Sequence, residues 1–183
     1  MTTIVQTGNE VLRKTAEEVP LAGIKTPKIK AILKKMITAL STAKDGVALA
    51  APQIGVSLRI FIALKEYTEQ KKPEEIGKVQ EKDNIAEKEN KTEVVIFINP
   101  KIVKISKKKQ IVKEGCLSVA GVFGAIERSE KITLEACNEK GEKFTRGASG
   151  LLAQIFQHEM DHLNGVLFTD TAYNLEKIKS KSE

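Results

Sequence analysis

The spacing of apolar side chains divides the chain into elements. Ile29, Ile32, Leu33, Met36, Ile37 and Leu40 recur at the period of one helical face. Thr26-Pro27 stands before them as N-cap and first helical residue, so a long amphipathic helix is predicted from there to about Ala43. The arm before it, from Val11-Leu12-Arg13 to Val19-Pro20, reads as extended or irregular. Residues 56–64 and 93–98 are dense in branched apolar side chains and read as strands. Asn99-Pro100 reads as a turn, and residues 101–105 and 111–113 then read as a hairpin around lysines. Ile132, Leu134 and Ala136 alternate with polar residues, as in a half-exposed strand, with Cys137 on the other face. Asn138 to Gly141 turns the chain into a strand around Phe144. A last helix is predicted between a Ser149 cap and Gly165, and 166–168 packs the chain end.

Two stretches escape this pattern. Residues 45–55 are small, apolar and bounded by glycines, and Gln53 is their only polar side chain after Asp45. They read as a tight loop, with Gln53 either exposed or aimed into a site. Residues 65–92 carry seven lysines and eight acids, too polar to order well, and read as a solvent-exposed insertion between two strands.

The chain has 183 residues and a net charge of +6, a length that fits one domain with its own core. The excess of base lies outside the insertion, in runs at Lys28–Lys35, Lys101–Lys113 and Lys177–Lys181. Such runs are solvated faces or contacts for a polyanion. The first residues lack a signal-peptide pattern, no apolar stretch is long enough to cross a membrane, and two cysteines make no disulfide framework. A cytoplasmic, monomeric protein is the expectation.

The predicted last helix carries the chemistry. Its two histidines, His158 and His162, are the only ones in the chain, and Glu159 follows the first. Residues four apart share a helix face, so both imidazoles can grip one metal ion while the glutamate acts on its water. Leu151, Leu152 and Ile155 form an apolar stripe predicted to face the core, and His158, Glu159 and His162 continue it inward. Two histidines leave a metal short of protein ligands. No third histidine exists, so a carboxylate or a cysteine must complete the set, and Cys116 stands out within Glu-Gly-Cys-Leu-Ser.

Gly46 to Gln53, Glu114 to Ser118 and Gln157 to His162 resemble, in order and spacing, the three motifs of the bacterial peptide deformylases. The likeness runs from Leu12-Arg13 to 165–168, interrupted by the charged insertion. It implies an α+β fold in which mixed or antiparallel sheets wrap a central metal-binding helix. It implies removal of the formyl group from the N-terminal methionine of new polypeptides. The ligands would be Cys116, His158 and His162, holding one divalent ion, commonly Fe2+, with Zn2+, Ni2+ or Co2+ also accepted. Glu159 would move the proton, and the Gln53 side chain and Leu117 N–H would donate to the developing oxyanion. The substrate would add a strand beside Val47-Ala48 and Gly115, its methionine side chain walled by Val47, Leu151 and Ile155. Glu114, Arg128 and Asp161 are candidates to orient the histidines, with a Glu114–Arg128 pair behind the metal. Family likeness also points to the ribosome exit, where a basic surface suits RNA.

Ala48 replaces a glycine usual in the first motif, and Ala120 a proline that often follows the second. Two rivals remain at this stage. A peptidase built on the same helix would not need Cys116, and a non-catalytic binding protein would not need Gln53 and Glu159 intact.

Overall fold

The computed structural model describes residues 3–43, 45–68 and 92–177. The charged insertion therefore lies outside the described residues, apart from its ends, as does most of the C-terminal lysine run. Among the described residues, three α-helices and eight strands are ordered as α1 (Pro27–Thr42), β1 (Ala48–Ala50), β2 (Ile60–Leu64), α2 (Lys65–Thr68), β3 (Val94–Ile105), β4 (Lys109–Cys116), β5 (Val119–Ser129), β6 (Lys131–Cys137), β7 (Lys143–Ser149), α3 (Gly150–Leu163) and β8 (Tyr173–Lys177). One sheet runs β1-β2-β3-β6-β7 and a second β4-β5-β8, with every pairing antiparallel. This is an α+β architecture.

Strand alternation explains how the helices attach. Phe61, Phe97 and Leu134 of the five-stranded sheet join one buried cluster with Leu152, Ile155, Phe156 and Met160 of α3. Ile60, Ile62 and Ile98 point the other way, into a cluster with Ile29, Ile32, Leu33, Met36 and Leu40 of α1. The sheet is thus covered on both faces, which is why β2 and the start of β3 read as unbroken apolar runs. Phe156 meets Phe97 edge-on at 5.0 Å, and Phe97 stacks on Phe61 at 4.4 Å, which fixes α3 on its sheet. From there α3 also touches β5 of the second sheet.

Several expectations change. Asn99-Pro100 is not a turn. β3 continues through it with a register shift between Ile98 and Lys101, and Asn99 takes a φ of 52°. Asparagine tolerates that conformation, and here its side chain both accepts from the Val19 N–H and donates to the Val19 carbonyl. The 101–105/111–113 hairpin does not form either, because residues 101–105 pair with β6 whereas β4 pairs with β5 in the other sheet. Residues 45–55 are more regular than a loop: β1 is followed by a 3-10 turn over Ala51–Ile54. Thr26 and Ser149 hold the N-cap positions of α1 and α3 without side-chain cap bonds, and the Thr26 hydroxyl donates back to the Gly23 carbonyl. Leu151 departs from its stripe and is 52% exposed.

Candidate metal centre

The heptad-like phase of α3 separates two kinds of side chain. Leu152, Ile155, Phe156, Met160 and Leu163 pack into the sheet. His158 and His162, one turn apart, stand at right angles with ring centroids 4.9 Å apart. Cys116 reaches them from the end of β4, where the register with β5 shifts between Gly115 and Cys116 and re-aims the side chain. Its Sγ lies 3.2 Å from His162 Nε2. One ligand atom from each of Cys116, His158 and His162 lies within 4.8 Å of the others. Among the described residues this is the one such group, and Cys137 is buried elsewhere, in the α1 cluster.

One sulfur and two imidazoles suit a tetrahedral ion with a fourth position left for water or substrate. Two further observations fit that reading. Glu159 is buried, and its Oε2 has no protein partner, so a polar ligand belongs beside it. His162 Nδ1 is likewise buried without one.

The electrostatics agree. Burial pushes the Glu159 carboxyl up to about 7; His158 opposes the shift, and Glu114 and Asp161 add to it. Burial and the neighbouring His158 hold His162 well below the usual imidazole range, so its ring is neutral, as a ligand must be. For His158 burial is outweighed by hydrogen bonds to Cys116 and Glu114, which raise it to about 10. Of the two rings, His158 is thus the one whose positive charge its neighbours favour, and it would release that proton on binding a cation.

Behind the histidines lies a buried ion-pair network. Arg128 donates from Nε and one terminal nitrogen to the two oxygens of Glu114, both at 2.8 Å, and from the other to Asp161 at 2.6 Å. Glu114 Oε2 in turn meets His158 Nδ1 at 3.0 Å. Burial alone would raise Glu114, but Arg128 and His158 overcome it and hold the carboxyl at about 2. It is therefore a permanent acceptor for His158, leaving Nε2 toward Cys116. Asp161 is itself raised, by burial first, against the pull of Arg128.

Gln53 is buried, with its amide orientation fixed by chemistry. The Ala50 N–H can only donate, and it does so to Gln53 Oε1 at 2.8 Å. Nε2 is therefore the end turned to the centre, 3.6 Å from Cys116 Sγ and 3.2 Å from Ser118 Oγ.

An open cleft of about 600 Å³ leads to this point. Val47, Ala48, Gly115, Leu117, Leu151 and Ile155 line it, together with Gln53, Glu114, Cys116, His158 and Glu159. Arg128, Asp161 and His162 stand behind the lining. Leu151 is exposed because it faces this cleft rather than the core. Val119, Val122, Phe123 and Gln154 also line it and were not anticipated. Only strand pairing brings Val119, Val122 and Phe123 of β5 across from β4, and no local pattern marks that, whereas Gln154 stands one turn after Leu151 on α3. Ala48 sits in β1 opposite Ala63, and Asn99 and Asn174 are the only described non-glycine residues with positive φ, so the methyl group imposes no backbone strain here. The Ala120 N–H donates to Gln6 Oε1 at 3.4 Å, a bond that proline could not make.

A buried carboxylate beside a cysteine–histidine–histidine set, at the end of an open cleft in an α+β fold, fits the class of metal-dependent hydrolases. The polypeptide deformylase family model matches residues 1–178. Peptide deformylase 2 of Clostridium acetobutylicum is 37% identical over 163 residues, covering 88% of this chain and 89% of that protein. The peptide deformylase of Carboxydothermus hydrogenoformans is 37% identical over 172 residues, with 94% and 93% covered. The crystal structure of the Thermotoga maritima peptide deformylase superimposes with a TM-score of 0.73 at 34% identity, over 94% of this chain and 98% of that one. The chain belongs to the polypeptide deformylase family, metal-dependent enzymes that take the N-terminal formyl group from new polypeptides.

Proposed function

We propose that deformylation by this chain runs on a division of labour among Cys116, His158, His162, Glu159, Gln53 and Leu117. The observation that carries this is the convergence of three ligand atoms beside a buried, unpartnered carboxylate oxygen. Cys116, His158 and His162 hold one divalent ion, which when bound supplies Lewis acidity and lowers the pKa of an adjacent water. Glu159 takes the proton of the attacking water as its oxygen bonds to the formyl carbon. The same carboxyl then delivers that proton to the amine as the carbon–nitrogen bond breaks, releasing formate and a free N-terminus. Gln53 Nε2 and the Leu117 N–H donate to the formyl oxygen as it gains charge, each worth roughly a hundredfold or more in turnover. Glu114, gripped by Arg128, which Asp161 braces from the other side, keeps His158 in the ligating tautomer.

The substrate backbone lies between β1 and the end of β4, pairing with Val47-Ala48 and Gly115. Its methionine side chain sits against Val47, Leu151 and Ile155. Fe2+ is the proposed native ion, because one sulfur and two nitrogens accept iron, zinc, nickel or cobalt and family likeness favours iron. The reading places the enzyme in the cytoplasm, where a thiolate ligand survives, with its basic face toward ribosomal RNA. No described helix is long and apolar enough to cross a membrane.

Turnover of formyl-Met peptides beside acetyl-Met peptides and casein tests the reading. Release of formate from the first alone supports it, and cleavage of casein alone refutes it.

A further inference from the structure

The N-terminal segment crosses behind the cleft, and the mechanism above makes no use of it. Its contacts fall on the two loops that carry the proposed oxyanion donors. The Val5 N–H donates to the Gln53 carbonyl at 2.9 Å, and the Thr7 N–H donates to the Ser118 carbonyl at 2.8 Å. Between them, Gln6 Nε2 donates to the Leu117 carbonyl at 3.0 Å and, more weakly, to the Ile4 carbonyl at 3.3 Å, while Oε1 accepts from the Ala120 N–H at 3.4 Å.

These bonds act on a peptide plane that matters. The Leu117 carbonyl and the Ser118 N–H belong to one rigid amide. Gln6 holds its oxygen edge, and its N–H edge donates to Cys116 Sγ at 3.4 Å. The Leu117 N–H lies one Cα away, so a fixed plane on one side restricts rotation of the residue that bears the donor. The same plane sets the hydrogen bond received by the sulfur ligand. Gln6 completes this at the far edge by tying down Ala120.

We propose that Gln6 is a positioning residue for deformylation, bridging the Leu117 carbonyl and the Ala120 N–H so that the Leu117 donor stays aligned opposite Gln53. The inference rests on the reading of Gln53 and Leu117 as oxyanion donors. An amide that merely stapled the N-terminal arm would affect stability and leave turnover per folded molecule untouched. A positioning residue affects kcat, because the donors act chiefly in the transition state.

Gln6→Met keeps the length of the side chain and removes its hydrogen bonds. With formyl-Met peptide and metal-loaded full-length enzyme, kcat should fall about tenfold with KM and metal content unchanged. Ala120→Pro should also lower kcat, and the two losses should not add, since both remove one bridge. Unchanged kcat in Gln6→Met, or a loss that only follows melting temperature or metal content, overturns the proposal. Gln53→Ala separates the two levels. Full turnover in that variant refutes the donor reading itself, whereas a large loss there beside a normal Gln6→Met refutes only the positioning role.

Discussion

Glu114 Oε2 lies 3.0 Å from His158 Nδ1, so the carboxylate that Arg128 clasps also decides which ring nitrogen faces Cys116. The arrangement has a pH signature in metal-stripped protein. Glu114 is held at about 2 against an ordinary value of 4.5, so its folded-state pKa is depressed. Its stabilisation is complete above the unfolded value and is lost as pH falls from about 4.5 toward 2, amounting to about 3 kcal/mol. Glu114→Gln should therefore lower unfolding free energy at pH 7 and converge with the parent near pH 2. Denaturant titrations at both pH values check this, and a gap of equal size at both would remove the ion pair as its cause.

Glu159→Gln keeps the shape of the side chain and removes the base. Metal content should stay near normal while turnover falls by two or more orders of magnitude. Loss of the ion from the purified variant would instead make Glu159 a structural residue.

Cys116→Ser replaces a thiolate with a hydroxyl that stays protonated at neutral pH. Metal affinity should drop at least tenfold in a competition titration against a chelator. Unaltered affinity would take Cys116 out of the ligand set.

Gly165 ends α3 with a φ of +75°, and a Cβ there would stand 2.6 Å from the Arg13 carbonyl oxygen. Backbone cannot give way as a side chain can. Gly165→Ala should cost more than about 1 kcal/mol, as alanine does where φ must be positive, and should lower the melting temperature by several degrees. A neutral substitution would show that the arm carrying Arg13 shifts freely.

If the native ion is ferrous, aerobic handling should inactivate enzyme purified anaerobically, and metal analysis should find iron. Full activity after a day in air, with zinc or nickel bound, would overturn the assignment of iron.

The chemistry of α3 was legible in sequence because two scarce histidines at helical spacing carry both a motif and a phase. Cys116 stands out in Glu-Gly-Cys-Leu-Ser, whereas Gln53 stays open between an exposed amide and one aimed into a site until the family likeness gives it a role. The path of β3 was not legible. Asn99-Pro100 looks like a turn locally, and only the pairing of β3 with β6, with its register shift between Ile98 and Lys101, reveals a bulge, which the Asn99 side chain ties to the Val19 backbone. Leu151 shows the same limit. Helical phase sets it in the apolar stripe, but a helix beside a cleft also presents apolar residues to the cavity. Gln6 gave no signal at all, since its partner carbonyl lies 111 positions along the chain.

Cys116 and His162 stand 46 positions apart, one on the three-stranded sheet and the other on a helix packed against the five-stranded one. Cys116 stands at the end of β4, and the two histidines meet it only where α3 lies against it. The complete set of ligands exists only where α3 is docked beside the end of β4, so an ion held by all three would favour that docking and stabilise the folded chain.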